Sequence, residues 1–164
     1  MASISTISDL PNTPSVYALY GGRGRGRYVA YVGVANKLKN RIEQHLVRRD
    51  SSVATGTSAV HLNPDHVTEI SWWEHDDFSQ RNVLEAAEMI AFNILDPALR
   101  SRGRSKHKAI ELLNNVHFVV EMEALFSSSP TGSLYLPGLG EALERIDKLE
   151  QRVAYLEKIV GDQK

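Results

Sequence analysis

The sequence predicts an α/β protein: a small three-stranded antiparallel sheet flanked by helices, followed by a C-terminal coiled-coil helix. Three observations carry this reading. Runs 15–20 (SVYALY), 27–34 (RYVAYVGV) and 67–74 (VTEISWWE) are rich in β-branched and aromatic residues, as strands are. Between and after them, apolar residues recur at the three- and four-residue spacing of a helix face. From residue 139 onward that spacing becomes heptads. The chain therefore divides into a domain over 1–126, a connector over 127–138 and a coil over 139–164.

Residues 1–14 read as a lead-in, because Pro11 and Pro14 oppose regular structure. The first two strands flank Gly21-Gly22-Arg23-Gly24-Arg25-Gly26, which reads as a turn, so they form a hairpin with a glycine-rich tip. A helix is expected over 37–47, where Leu38, Ile42 and Leu46 share one stripe and Asn36 is placed to cap it. Arg41 and His45, four apart, share a neighbouring face. Residues 50–66, with Ser, Thr, Asn and Pro64, read as a long loop. After the third strand comes a helix over 79–95, with Ser79 as cap and Pro97 as stop. Two more helices are expected at 106–113 and 116–126, although the second also suits a strand. The segment 127–138 (SSSPTGSLYLPG) reads as a flexible linker.

In the final segment Leu139, Ile146, Val153 and Val160 occupy one heptad position, and Ala142, Leu149 and Leu156 the other. β-Branched residues at a with leucine at d favour a parallel two-stranded coil, hence a homodimer. Three heptads are marginal alone, so the folded domain or the partner must support them. The alternative is an amphipathic helix folded back on its own domain.

Composition narrows the function. Among 164 residues there is no cysteine, which excludes disulfides, zinc–thiolate sites and a cysteine nucleophile, and agrees with a reducing cytoplasm. No run approaches the ~18–20 apolar residues of a membrane helix, and the N-terminus lacks the positive region of a secretory signal. A cytoplasmic protein without membrane partners is expected. The net charge of −1 hides an uneven distribution. Between 21 and 49 stand Arg23, Arg25, Arg27, Lys37, Lys39, Arg41, Arg48 and Arg49 against Glu43 alone. Arg100, Arg102, Arg104, Lys106 and Lys108 form a second basic segment. The stretch between is acidic, with Asp65, Glu69, Glu74, Asp76, Asp77, Glu85, Glu88 and Asp96. Two basic segments on one face would hold a polyanion beside a carboxylate able to take a metal. Nucleic-acid contacts are expected from Arg23, Arg25, Arg27, Lys37, Lys39, Arg100 and Arg102. The glycine-rich tip is not a phosphate loop: it lacks the Gly-Lys-Ser/Thr ending and opens a strand. His61, His66, His75, His107 and His117 show no metal-ligand spacing.

Phosphodiester hydrolysis needs an activated water, neutralisation of the charge on phosphorus and help for the leaving group. Tyr17 and Tyr31 fall on adjacent strands and are able to face the same way. A phenol, with a free pKa near ~10, needs nearby cations to act as a base. Arg41 supplies one and can bridge two phosphate oxygens. A carboxylate on a facing helix can hold Mg²⁺ with water in most remaining positions.

The same residues carry a family likeness. Ser15-Val16-Tyr17, then Tyr31-Val32-Gly33, then Arg41 ten residues after Tyr31, then Glu88 nine residues before Pro97, form an ordered set. This set resembles the GIY-YIG nucleases, and His45 one helical turn after Arg41 resembles their phage homing-endonuclease branch. The resemblance spans about 15–104. It implies the GIY-YIG fold and a metal-dependent endonuclease acting on DNA, with RNA not excluded. Its catalytic residues would be Tyr17, Tyr31, Arg41, His45 and Glu88, with Glu88 holding Mg²⁺ or Mn²⁺. Two positions depart from the family: Ser15 replaces a glycine, and Arg100 replaces an asparagine thought to brace the site. Glu85, three residues before Glu88 on nearly the same face, competes for the metal; the distance to Pro97 favours Glu88. The intact tyrosines, arginine and glutamate favour a nuclease. Arg100 favours the alternative, a catalytically inactive nucleic-acid-binding or scaffolding dimer.

Overall fold

The structure, a computed structural model, describes residues 5–55, 61–99 and 107–161. Its centre is an antiparallel sheet in the order β2-β1-β3-β4: β1 Ser15–Gly21, β2 Tyr28–Ala35, β3 Val67–Trp73 and β4 Gly132–Tyr135. The expected hairpin is present, with Tyr17 opposite Gly33 and Leu19 opposite Tyr31. β3 lies on the other side of β1, so β1 is central and buried along its whole length.

The expected count of three strands is corrected to four. Gly132–Tyr135, inside the segment read as a flexible linker, pairs with β3 and sets Leu134 opposite Ile70. Four residues between Pro130 and Pro137 are too short to display a strand period. What fixes them is tertiary. Leu134 is buried while Tyr135 is exposed, and a Cβ on Gly132 would stand 2.2 Å from the Trp72 ring, so glycine permits the close approach.

Alternation along β1 and β2 divides the core into two faces. Tyr17, Leu19 and Tyr31 pack with Leu38, Ile42, Ile70 and Trp72. Val16, Ala18, Tyr20 and Val32 pack with Trp73, Leu84, Ala87 and Phe126. The first face is covered by α1 (Leu38–Ile42), which is much shorter than the helix expected over 37–47. It continues as a π turn over Glu43–Val47, closed by the Arg48 N–H donating to the Glu43 carbonyl at 2.8 Å. Asn36 is not its cap. Lys37 holds that position without a side-chain bond, because Leu38 and Lys39 donate their N–H groups to the carbonyls of Thr13 and Pro11 in the lead-in.

The second face is covered by α2 (Arg81–Leu95), α3 (His107–Leu112) and α4 (Val116–Ser127). Ser79 ends a short 3₁₀ turn and Gln80 takes the cap position of α2. The ambiguous segment 116–126 is helical: the Asn115 side chain accepts the N–H groups of His117 and Phe118 and starts α4. Helix α5 (Leu139–Gly161) follows β4. Its stripe residues Ile146, Leu149, Val153, Leu156 and Val160 are all exposed. Its first turn is tied to the domain. Arg23 bonds Glu141 at 2.7 Å and the Leu136 carbonyl at 3.1 Å, and the Leu136 N–H donates to Thr68 at 2.9 Å. Among the described residues no helix is long and apolar enough to cross a membrane.

Candidate functional site

Tyr17, Tyr31 and His45 form a three-ring cluster on the α1 face of the sheet. The centroids of Tyr17 and Tyr31 are 6.1 Å apart, and His45 lies 5.9 Å from the first and 5.7 Å from the second, edge-on to it. The Tyr17 hydroxyl and His45 Nε2 are 2.7 Å apart. On the far side of the ring, His45 Nδ1 is 2.7 Å from the Ser51 hydroxyl. Gly33 makes room for this cluster: a Cβ there would lie 2.7 Å from the Tyr17 oxygen and 2.8 Å from the Tyr31 ring. Any side chain at that position pushes on both phenols.

His45 is where the site differs most from its sequence. An α-helix would place it beside Arg41 on a shared face. The π turn instead carries it fully inside, at 0% exposure. Desolvation, and then the nearby Arg41 charge, push its pKa down to about 3, so it is neutral at pH 7. It serves as a hydrogen-bonding partner rather than a cationic acid.

Arg41 is half-buried at the same cluster. Burial works against its charge, but its attraction and hydrogen bonding to Tyr17, and then Tyr31, outweigh this and raise its pKa. Its Nη1 also donates to Gln44 at 3.3 Å. Burial drives the Tyr17 phenol well above the ordinary range; Tyr31 and Glu88 add to the rise and Arg41 opposes it. Tyr31 is raised by burial and then by Glu88, with Arg41 and the Tyr17 hydroxyl opposing. The cation expected beside the tyrosines is therefore present, yet burial prevails and both phenols keep their protons in the resting protein.

Glu88 lies on α2. Burial raises its pKa to about 7; Arg81 and Arg41 pull it down and Glu85 pushes it up. Its charge is felt by both phenols. Its competitor Glu85 bonds Arg81 at 2.6 Å on the same helix. The chemistry of Glu88 fits a divalent cation. A desolvated carboxylate that half-protonates near neutrality gains by pairing with one, and water with substrate oxygens can complete a Mg²⁺ shell. Among the described residues no group of three His, Asp or Glu side chains converges.

The basic residues divide. Arg25 is exposed at the hairpin tip, and Lys37 is exposed before α1. Arg27 instead makes a two-pronged pair with Glu69, at 2.8 and 3.0 Å, and stacks 3.8 Å over the Tyr20 ring. Arg23 holds α5, and Lys39 donates to the Ser8 carbonyl at 2.9 Å. Arg100 and Arg102 lie outside the described residues. A cleft of about 570 Å³ opens between the hairpin tip, β4 and α5, but its lining includes none of the five residues expected to be catalytic.

The functional cluster contains one residue that the sequence reading passed over. Ser51 opens a loop whose composition looked merely solvated, and no local pattern marks it; only the fold turns it beneath His45. Comparisons of the chain with models of known families, with curated proteins and with solved structures gave no match.

Proposed function

We propose that the chain is a divalent-metal-dependent endonuclease of the GIY-YIG type that hydrolyses phosphodiester bonds in DNA in the cytoplasm. The observation that carries the reading is the buried cluster of Tyr17, Tyr31, His45 and Arg41, with Glu88 in electrostatic reach. Glu88 holds the Mg²⁺ or Mn²⁺, which when bound neutralises charge on the scissile phosphate. Tyr17, once it has passed its own proton to solvent, would take one from the attacking water, with the Arg41 charge favouring the ionised phenol against the burial that opposes it. Arg41, half-buried beside the phenols, meets the charge that develops on the phosphate. Arg25 and Lys37 hold neighbouring phosphates. The exposed α5 stripe pairs with a second copy of the chain in a parallel coil.

A second reading, an idle nucleic-acid-binding dimer, draws on two observations: the phenols are protonated at rest, and Arg23 and Arg27 are engaged within the chain. One assay separates the two. Plasmid and branched DNA are incubated with the protein, with and without Mg²⁺ or Mn²⁺. Cleavage is expected only with metal, and Glu88→Gln is expected to abolish it while leaving DNA binding intact. Activity that survives excess chelator defeats the metal-dependent reading. Loss of activity in Glu85→Gln but not in Glu88→Gln moves the metal one helical turn.

A further inference from the structure

The exposed stripe of α5 fixes its heptad, with Ile146, Val153 and Val160 at a and Leu149 and Leu156 at d. The flanking positions e and g follow by counting. Along Leu139–Gly161 they are Leu143, Arg145, Glu150, Arg152, Glu157 and Ile159. Both inner g positions are arginine and both inner e positions are glutamate. In a parallel, in-register coil, the g residue of one helix faces the e residue five places further along the other. Arg145 then faces Glu150 of a second copy, and Arg152 faces its Glu157; two-fold symmetry makes four such contacts. Leu143 and Ile159 fit the same count. Leu143 would need a partner at 138, before the helix begins, and Ile159 one at 164, beyond the described helix. Charge thus stands at every flanking position whose parallel partner lies inside α5, and at neither position whose partner lies outside it.

Other arrangements waste these charges. An antiparallel coil sets g against g and e against e, so arginine would meet arginine and glutamate would meet glutamate. A parallel coil slipped by one heptad keeps two of the four contacts. Within the chain the four side chains are exposed and make no ion pair among the described residues. Arg145 borders the cleft at the hairpin tip, but there Arg23 already holds Glu141. We infer that Arg145, Glu150, Arg152 and Glu157 are the specificity-determining residues of α5, selecting as its occupant a second copy of this chain, parallel and in register. This selection rests on the pairing proposed above and adds the residues that choose the partner. The apolar stripe supplies attraction without direction. Exposed ion pairs add little each, but like charges at all four contacts reject a partner that opposite charges accept.

The chain has no cysteine, so one can be introduced as a reporter of direction. In the full chain, Ala142→Cys at a d position is expected to oxidise to a disulfide-linked dimer, because parallel in-register helices bring the two d positions together and an antiparallel coil separates them. Two double variants test the charges: Arg145→Glu with Arg152→Glu, and Glu150→Arg with Glu157→Arg. Each alone sets like charges at all four contacts, and its dimer is expected by sedimentation to be about a hundredfold weaker than the parent's. High salt is expected to let each variant pair with itself again. An equimolar mixture restores opposite charges at every contact and is expected to sediment as a dimer, which also shows that both variants still form the helix. Self-association of either variant at the parent's strength overturns the inference, as does a mixture that stays monomeric or an Ala142→Cys dimer that does not link. A monomeric parent removes the pairing itself. A parent dimer indifferent to these changes keeps the pairing and removes the role of the four charges.

Discussion

His45 has a pKa of about 3 in the folded chain against 6.5 when free, and this difference makes it a measurable element of stability. Between those values the unfolded chain binds the extra proton, so stability is fully present above pH 6.5 and is lost as pH falls toward 3. The whole effect is on the order of 4–5 kcal/mol. Denaturant titrations at pH 7 and pH 4.5 are expected to show a steep loss in the parent and a shallower one in His45→Gln. Equal losses would mean that the imidazole is not buried as described. Gly33 makes a second residue-scale claim. In Gly33→Ala the new methyl meets the Tyr17 oxygen and the Tyr31 ring at under 3 Å, and overpacking of this kind costs about 1–3 kcal/mol. The denaturation midpoint is expected to fall, and the remaining folded protein to cut poorly because both phenols have moved. An unchanged midpoint and activity would show that the cluster has slack.

Elements divide by how strongly they repeat. β1, β2, β3 and α2 were legible in the sequence because each carries several repeats of its period or a dense β-branched and aromatic run. Tyr17, Tyr31, Arg41 and Glu88 were singled out through their ordered likeness to a nuclease motif rather than by periodicity, and the fold places Arg41 beside the two tyrosines with the Glu88 charge felt there. The π turn was not legible. Leu38, Ile42 and Leu46 fit an ordinary α-helix, and the wider turn appears only because burying His45 against Tyr17 repays it. β4 was missed because turn residues surround it, and Ser51 because its partner is brought to it by that same π turn. Deleting Glu43 is expected to close the turn toward α geometry and carry His45 around the axis, away from Tyr17. Circular dichroism should then stay native while cleavage drops at least as far as in His45→Gln. Full activity in the deletion would show that the wide turn is incidental.

At the scale of the whole molecule, the apolar stripe of α5 has no cover among the described residues: Ile146, Leu149, Val153, Leu156 and Val160 are each more than half exposed. The proposed dimer covers it. Sedimentation of the intact protein is expected to give a dimer at micromolar concentration, and removal of residues 139–164 a monomer that nicks more readily than it breaks both strands. A monomeric intact protein would remove the pairing and the double cut together.

The join between domain and stalk carries a consequence of its own. A loose tether would let each domain wander to its strand. Instead three residues separate β4 from α5, and Arg23, Glu141, Leu136 and Thr68 clamp them. Two copies zipped along such stalks would stand like the jaws of a fixed caliper. The stagger between their cuts would then be a dimension of the protein, the same on every substrate. Opening the clamp with Arg23→Ala would blur that stagger without touching the chemistry of either jaw.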